Sequence, residues 1–137
     1  MNSVTEQLLK LVSGWKGKFS GAYNIRENGQ CAGRQSTDQV KIESKRDLPG
    51  LDIHILPGAR DETVSIPACV TQGGVDDLVY NDFYVGEGAQ VTIVAGCGVH
   101  TENGEPARHN GVHRFFLEKN AKVTYLEKHV GTGKGSG

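Results

Sequence analysis

A mostly β chain of stacked coils behind one short helix is the fold class that three observations predict. The segment Phe83 to Ile93 matches Phe115 to Tyr125 at one constant offset, and each copy reads strand, tight Gly or Asn turn, Ala, strand. Strand copies at a fixed period with no helix between them indicate coils stacked into a solenoid. Glycine supplies 19 of the 137 residues, about twice its usual share, which fits a chain that turns often. Helical periodicity occurs once, at the N-terminus. Tight turns could equally join antiparallel strands, so a β-sandwich is the alternative.

The helix is expected over 4–15. Leu8, Leu9, Leu11, Val12 and Trp15 fall near one face. Ser3 and Glu6 form an S-x-x-E pattern that would satisfy two orphan donors at a helix start. Gly14 and Gly17 end the run. From Gly21 on, β-branched and aromatic runs alternate with breaks. The expected strands are Val40 to Ser44, Leu51 to Leu56, Thr63 to Ile66, Val79 to Val85, Val91 to Val94, Arg114 to Leu117 and Lys122 to Leu126. A weaker copy of the repeat starts at Ile55–Ala59 and continues through Val64–Ile66. In-register stacking would then align Cys69, Cys97 and His129 along one edge, about 5 Å apart per layer. The organisation expected is a helical segment over 1–20, a β domain over 21–130 and a Gly-rich tail over 131–137.

Composition removes several function classes. Fifteen basic residues stand against 16 acidic ones, for a formal net charge of −1. No basic groove for nucleic acid is therefore expected. No run approaches the roughly 20 apolar residues of a membrane span. Met1 to Glu6 lacks the basic and apolar regions of a signal peptide. Three cysteines without a C-x-x-C argue against a disulfide framework and for a reducing cytoplasm. The tail resembles a phosphate loop, but Lys128 and Gly135 stand where Gly and Ser/Thr are required. Gly86-Glu87-Gly88 lacks the third glycine of a dinucleotide fingerprint.

Chemistry concentrates in one stretch. Cys97, His100, Glu102, Glu105, His109 and His113 follow one another closely between positions 97 and 113. Thiolate and imidazole are the natural ligands of zinc, iron and copper. Cys97-x2-His100 and His109-x3-His113 read as two ligand pairs joined by a loop, so His100, His109 and His113 are the metal candidates. Cys97 with His129 reads as a thiol nucleophile and its base, with no third orienting residue identifiable. Cys69, His129 and Glu102 are secondary candidates. His109-x3-His113-x4-Glu118 is similar to the ligand run of cupins, although Gly111 stands where His-x-His needs a histidine. A cupin-like barrel using His100, His109, His113 and Glu118 is thus a second reading of fold and function. His54 reads as a strand residue, Cys31 as a surface thiol in a turn, and Asp76-Asp77 as an Asx turn in preference to a cation-binding pair.

From Gly21 onward the chain resembles the SufB/SufD family of iron–sulfur cluster assembly proteins. The resemblance rests on Ala22-Tyr23-Asn24-Ile25-Arg26 before Asn28-Gly29, and on Leu48-Pro49-Gly50-Leu51-Asp52-Ile53. It continues with Ser65-Ile66-Pro67, Gly88-Ala89-Gln90-Val91 through Gly96-Cys97, His109, and Glu118 to Tyr125. It implies a right-handed parallel β-helix and a non-enzymatic cytoplasmic scaffold that receives sulfur and iron. It also implies an ABC-type ATPase partner, a SufB/SufD-like paralogue or a second copy of the chain as homodimer partner, sulfur donor proteins, and no nucleic acid or membrane. Cys97 occupies the position of a sulfur-accepting cysteine in SufB-like members, and His109 that of a family histidine. The cofactor implied is a transient iron–sulfur cluster or iron. Relatives are at least twice as long and carry the main cluster ligands and ATPase dock C-terminally, so the chain is expected to be either a fragment or a short variant, and neither the cluster site nor the dock need be present in it. A purely structural pairing module is the third reading.

Overall fold

The computed structural model describes residues 1–17, 19–102 and 105–133. Among them, one helix, α1 (Ser3–Ser13), precedes nine strands: β1 (Ala22–Glu27), β2 (Gln30–Gln35), β3 (Val40–Ser44), β4 (Gly50–Ile55), β5 (Glu62–Val70), β6 (Asp76–Val85), β7 (Gln90–Thr101), β8 (Arg108–Leu117) and β9 (Lys122–Gly133). They form two sheets, ordered β2-β1-β5-β7-β9 and β3-β4-β6-β8. From β4 to β9 the chain alternates between the sheets, and each pass from β6 on pairs in parallel with the earlier pass in its own sheet. The only antiparallel pairs among the described residues are the hairpins β1–β2 and β3–β4. The fold is thus mostly β with mixed, largely parallel sheets.

The repeat sets the register. Phe83 lies beside Phe115 and Ile93 beside Tyr125, each residue next to its own counterpart in the repeat. The weaker copy stacks as well, with shorter steps: Ile55 lies beside Val85, and Val64 beside Ile93. Each coil turns at a corner with a left-handed residue, Gly58, Gly88 or Asn120, and the first corner adds a second at Asp61. The amide of Gly58 donates to the carbonyl of Glu87, and that of Gly88 to the carbonyl of Lys119, both at 2.9 Å. Ala59 and Ala89 follow in the corner, fully buried, where nothing larger than a methyl group would fit beneath the stacked turns. Between the sheets lies an apolar core that includes Ile53, Val64, Phe83, Val85, Val91 and Ile93.

Helix α1 closes the outer face of the larger sheet. Its cap is Asn2, whose Oδ1 accepts from the Thr5 amide at 2.8 Å. The Ser3/Glu6 capping box is therefore off by one position. Gly14 ends the helix in the left-handed conformation, before Trp15. Leu8 and Leu9 pack with Ile25 and Cys69. Two glycines of β7 permit this approach: a Cβ on Gly98 would lie 2.9 Å from the Leu8 Cβ, and one on Gly96 would lie 3.1 Å from the Val12 Cβ.

Several expectations are corrected here. The strands run longer than their apolar runs, so residues 97–101 and 108–113 lie on β7 and β8 rather than in a loop. Cys31 lies in β2, not in a turn. Asp76 and Asp77 begin β6 instead of forming an Asx turn. Residues 134–137 of the tail lie outside the described residues.

Candidate functional site

Beyond the apolar core the two sheets enclose a cavity of about 280 Å³. Polar side chains line it from both sheets, among them Arg26, Asn81, Cys97, His109, His113 and Glu127. Side chains alternate faces along a strand, and this rule sorts the sequence candidates.

His109, Gly111 and His113 are spaced by two on β8, so they share its inner face. Cys97 and His100 are spaced by three on β7, so they do not share one. Cys97 is almost fully buried on the cavity side, 6% exposed, among Val70, Val99 and Ala107. His100 turns the other way: its Nδ1 lies 2.7 Å from the Thr132 hydroxyl and its Nε2 lies 3.2 Å from Glu102. The set His100, His109 and His113 is therefore divided, and His100 with the exposed Glu102 stands apart from the cavity. Among the described residues, no three His, Cys, Asp or Glu side chains are grouped closely enough to hold a metal ion.

The predicted edge of Cys69, Cys97 and His129 is half present. Cys97 and His129 are register neighbours on β7 and β9, and both line the cavity. Cys69 is one residue out of step: Ala68 pairs with Cys97, and Cys69 with Gly98. The step from β5 to β7 is one residue longer than the spacing between the two cysteines. A one-residue slip moves a side chain to the opposite face, and Cys69 accordingly packs under α1.

The structure adds residues that sequence reasoning missed. Asp77, 7% exposed, accepts a bidentate pair from Arg26 Nε and Nη2, both at 2.8 Å. The same carboxylate lies 2.8 Å from His109 Nδ1. Burial alone would raise the Asp77 carboxyl, but the hydrogen bonds from Arg26 and His109 hold it well below the usual carboxylate range. An ionised carboxylate only accepts, so His109 carries a proton on Nδ1 and turns Nε2 away from Asp77. Glu127, two residues before His129 on the same face, lies 3.4 Å from His129 Nε2 and accepts from the Tyr125 hydroxyl at 3.0 Å. Spacing by two, once these residues are placed on a strand, was the signal that could have found Glu127. Nothing local marked Asp77, because its partners Arg26 and His109 sit in distant parts of the chain.

The thiols differ in burial. Burial, with Asp77 and Glu127 nearby, pushes the Cys97 thiol up to about 11. Burial pushes Cys69 up to about 12. Cys31 is exposed on the edge strand. Cys97 at rest is a protonated thiol beside basic side chains, so it needs a proton acceptor before it can attack.

The chain is 32% identical over 98 residues, 70% of its length, to a protein of Archaeoglobus fulgidus named as an iron–sulfur cluster assembly SufBD family protein. It is 30% identical over 89 residues to another protein so named, from Methanothermobacter thermautotrophicus. The chain spans 26% and 21% of the lengths of these two relatives. No family model matches it, and no solved structure does.

Proposed function

Because the chain is, over 70% of its length, a relative of the SufBD family of iron–sulfur cluster assembly proteins, we propose that it forms part of a SUF-type assembly scaffold and receives sulfur at Cys97. The observation that carries this reading is the placement of Cys97. It is the one cysteine of three whose side chain lines the polar cavity between the sheets. Cys69 is sealed beneath α1 and Cys31 lies in the open. A thiol among imidazoles and carboxylates, shielded from bulk water, suits sulfur relay, because a persulfide there is protected from stray thiols.

The step is a thiol exchange. Cys97 loses its proton, and its sulfur attacks the outer sulfur of a donor persulfide. The donor S–S bond breaks, the donor leaves as thiolate and takes up a proton, and Cys97 keeps the sulfur as a persulfide. Iron and the finished cluster are cargo in this reading. The parallel stacking supports a right-handed β-helix as the fold of the whole scaffold. Its companions would be an ABC-type ATPase subunit, a SufB/SufD-like paralogue or second copy, and a sulfur donor protein. The role is that of a scaffold rather than an enzyme. No helix among the described residues is long and apolar enough to cross a membrane.

The test is mass spectrometry of the cysteine peptides after anaerobic incubation with a cysteine desulfurase and its sulfur carrier. A gain of one sulfur at Cys97, with Cys69 and Cys31 unchanged, is the expected result. Equal labelling of Cys31 and Cys97 would remove the special role of Cys97.

A further inference from the structure

Two imidazoles meet over a missing side chain. A Cβ at position 111 would lie 3.0 Å from His113 Nε2 and 3.8 Å from His109 Nε2. Gly111 is thus a gap that both Nε2 atoms approach at the cavity wall. The two rings are held in opposite states. His109 donates from Nδ1 to Asp77 at 2.8 Å, so in the neutral ring Nε2 is a hydrogen-bond acceptor. His113 Nδ1 faces the Asn81 side-chain amide at 3.5 Å. The Asn81 Oδ1 accepts from the Leu51 amide at 3.2 Å, which turns the Asn81 NH₂ toward His113. His113 Nδ1 is then the acceptor, and its proton sits on Nε2. Burial, which outweighs the pull of Glu127, lowers the basicity of His113 and favours its neutral form.

The gap therefore offers one lone pair and one N–H to a single small group. Cys97 lines the same cavity, one coil away. Phe115 of β8 packs edge-on against Tyr125 of β9 at 5.5 Å. The chain reverses its direction across the corner between them, so stepping two positions twice sets Gly111 opposite His129, and His129 is the register neighbour of Cys97.

We propose that His109 and His113, spaced by Gly111, form a cradle for the terminal S–H of a persulfide carried on Cys97. His109 Nε2 takes the proton of the S–H group, and the resulting imidazolium rests on Asp77. His113 Nε2–H donates a hydrogen bond to the terminal sulfur, now an anion. One proton moves from sulfur to nitrogen and no electrons change hands. The cradle holds the outer sulfur as a nucleophile ready to pass on. This inference rests on the reading of Cys97 as the sulfur acceptor. The charged and titratable groups facing the cradle are Asp77 and Arg26 behind His109, Glu127 and His129 from β9, and Cys97 from β7.

The test loads the chain with glutathione hydropersulfide and confirms by mass that Cys97 carries one extra sulfur. The rate at which that sulfur is alkylated is then followed against pH. In the wild type the rate should fall on the acid side with a single ionisation. His109→Gln should slow alkylation at neutral pH by roughly 10²-fold and move the acid limb to higher pH, because the terminal S–H then ionises without a base beside it. Gly111→Val, which fills the gap, should do the same while circular dichroism shows an unchanged fold. His113→Gln keeps an N–H and should retain more of the rate than His113→Leu. Glu127→Gln should leave the acid limb in place. A wild type that loads at Cys97, with all variants alkylating at its rate, overturns the cradle alone. A wild type that never loads at Cys97 overturns both the cradle and the sulfur-acceptor reading.

Discussion

Asp77 and Asp82 carry the acid stability of the fold, one on each side of the same strand. Asp82 is 1% exposed and accepts Arg114 Nε and Nη2 at 2.8 and 2.7 Å and Lys45 Nζ at 2.7 Å. Arg114 first, then Lys45, lowers the Asp82 carboxyl to about 2 against the cost of burial. Both folded-state values lie below the ordinary range of about 3.9. Their contribution is complete above that range and is lost as pH falls through the folded values. Equilibrium unfolding from pH 5 to pH 2 should show stability declining below about pH 4. Arg114→Ala should raise the Asp82 value and move that decline to higher pH, as carboxylate titration by NMR would record. Asp77→Asn should reverse the ring state of His109, because an amide turned toward Arg26 no longer offers the same anion to Nδ1. The readout is a change in the His109 ring nitrogen shifts.

The element that depends most on single glycines is the contact between α1 and β7. Gly98→Val would place a branched side chain 2.9 Å from the Leu8 Cβ. Overpacking of this kind costs roughly 1–3 kcal/mol, and thermal unfolding should show it. The same change at Gly88 meets no neighbour within 4 Å but adopts φ +71, so its cost is backbone strain alone. Asn2→Ala removes the cap on the Thr5 amide and should cost about 1 kcal/mol. Strand length was the feature least legible in the sequence. β7 and β8 continue through Cys97, His100, His109 and His113, residues whose polarity reads as loop. They stay extended because each backbone pairs with the strand below it, whatever the side chain.

At the scale of the molecule, the coils are equivalent in pattern and unequal in burial. Phe83 and Phe115 are stacked at 4.9 Å in successive coils. Phe83 is fully buried, while Phe115 is 37% exposed. Val85 is 1% exposed and its counterpart Leu117 52%. Among the described residues, coil β8–β9 pairs on one side only. Phe83→Ala should cost roughly 3–5 kcal/mol, and Phe115→Ala clearly less, measured by denaturant unfolding on the same chain. Hydrogen exchange should likewise be faster in β8 and β9 than in their parallel neighbours β6 and β7, since unpaired strand edges open with little loss of packing.

The sequence by itself determined the coil. The constant-offset repeat, the turn residues and the inward apolar positions were all local and periodic, and the register follows them from Phe83 to Tyr125. It also marked Cys97, His109 and His113 by residue type. It could not say which of these share a wall. That depends on strand extent and on the step between coils. A step one residue longer than the cysteine spacing sends Cys69 under the helix, and an odd spacing from Cys97 sends His100 away. The partners of Asp77 and the meeting of two imidazoles over Gly111 were decided only by the tertiary structure. Alternation is fixed within a strand, but the neighbour it presents belongs to another coil, and only stacking selects that neighbour.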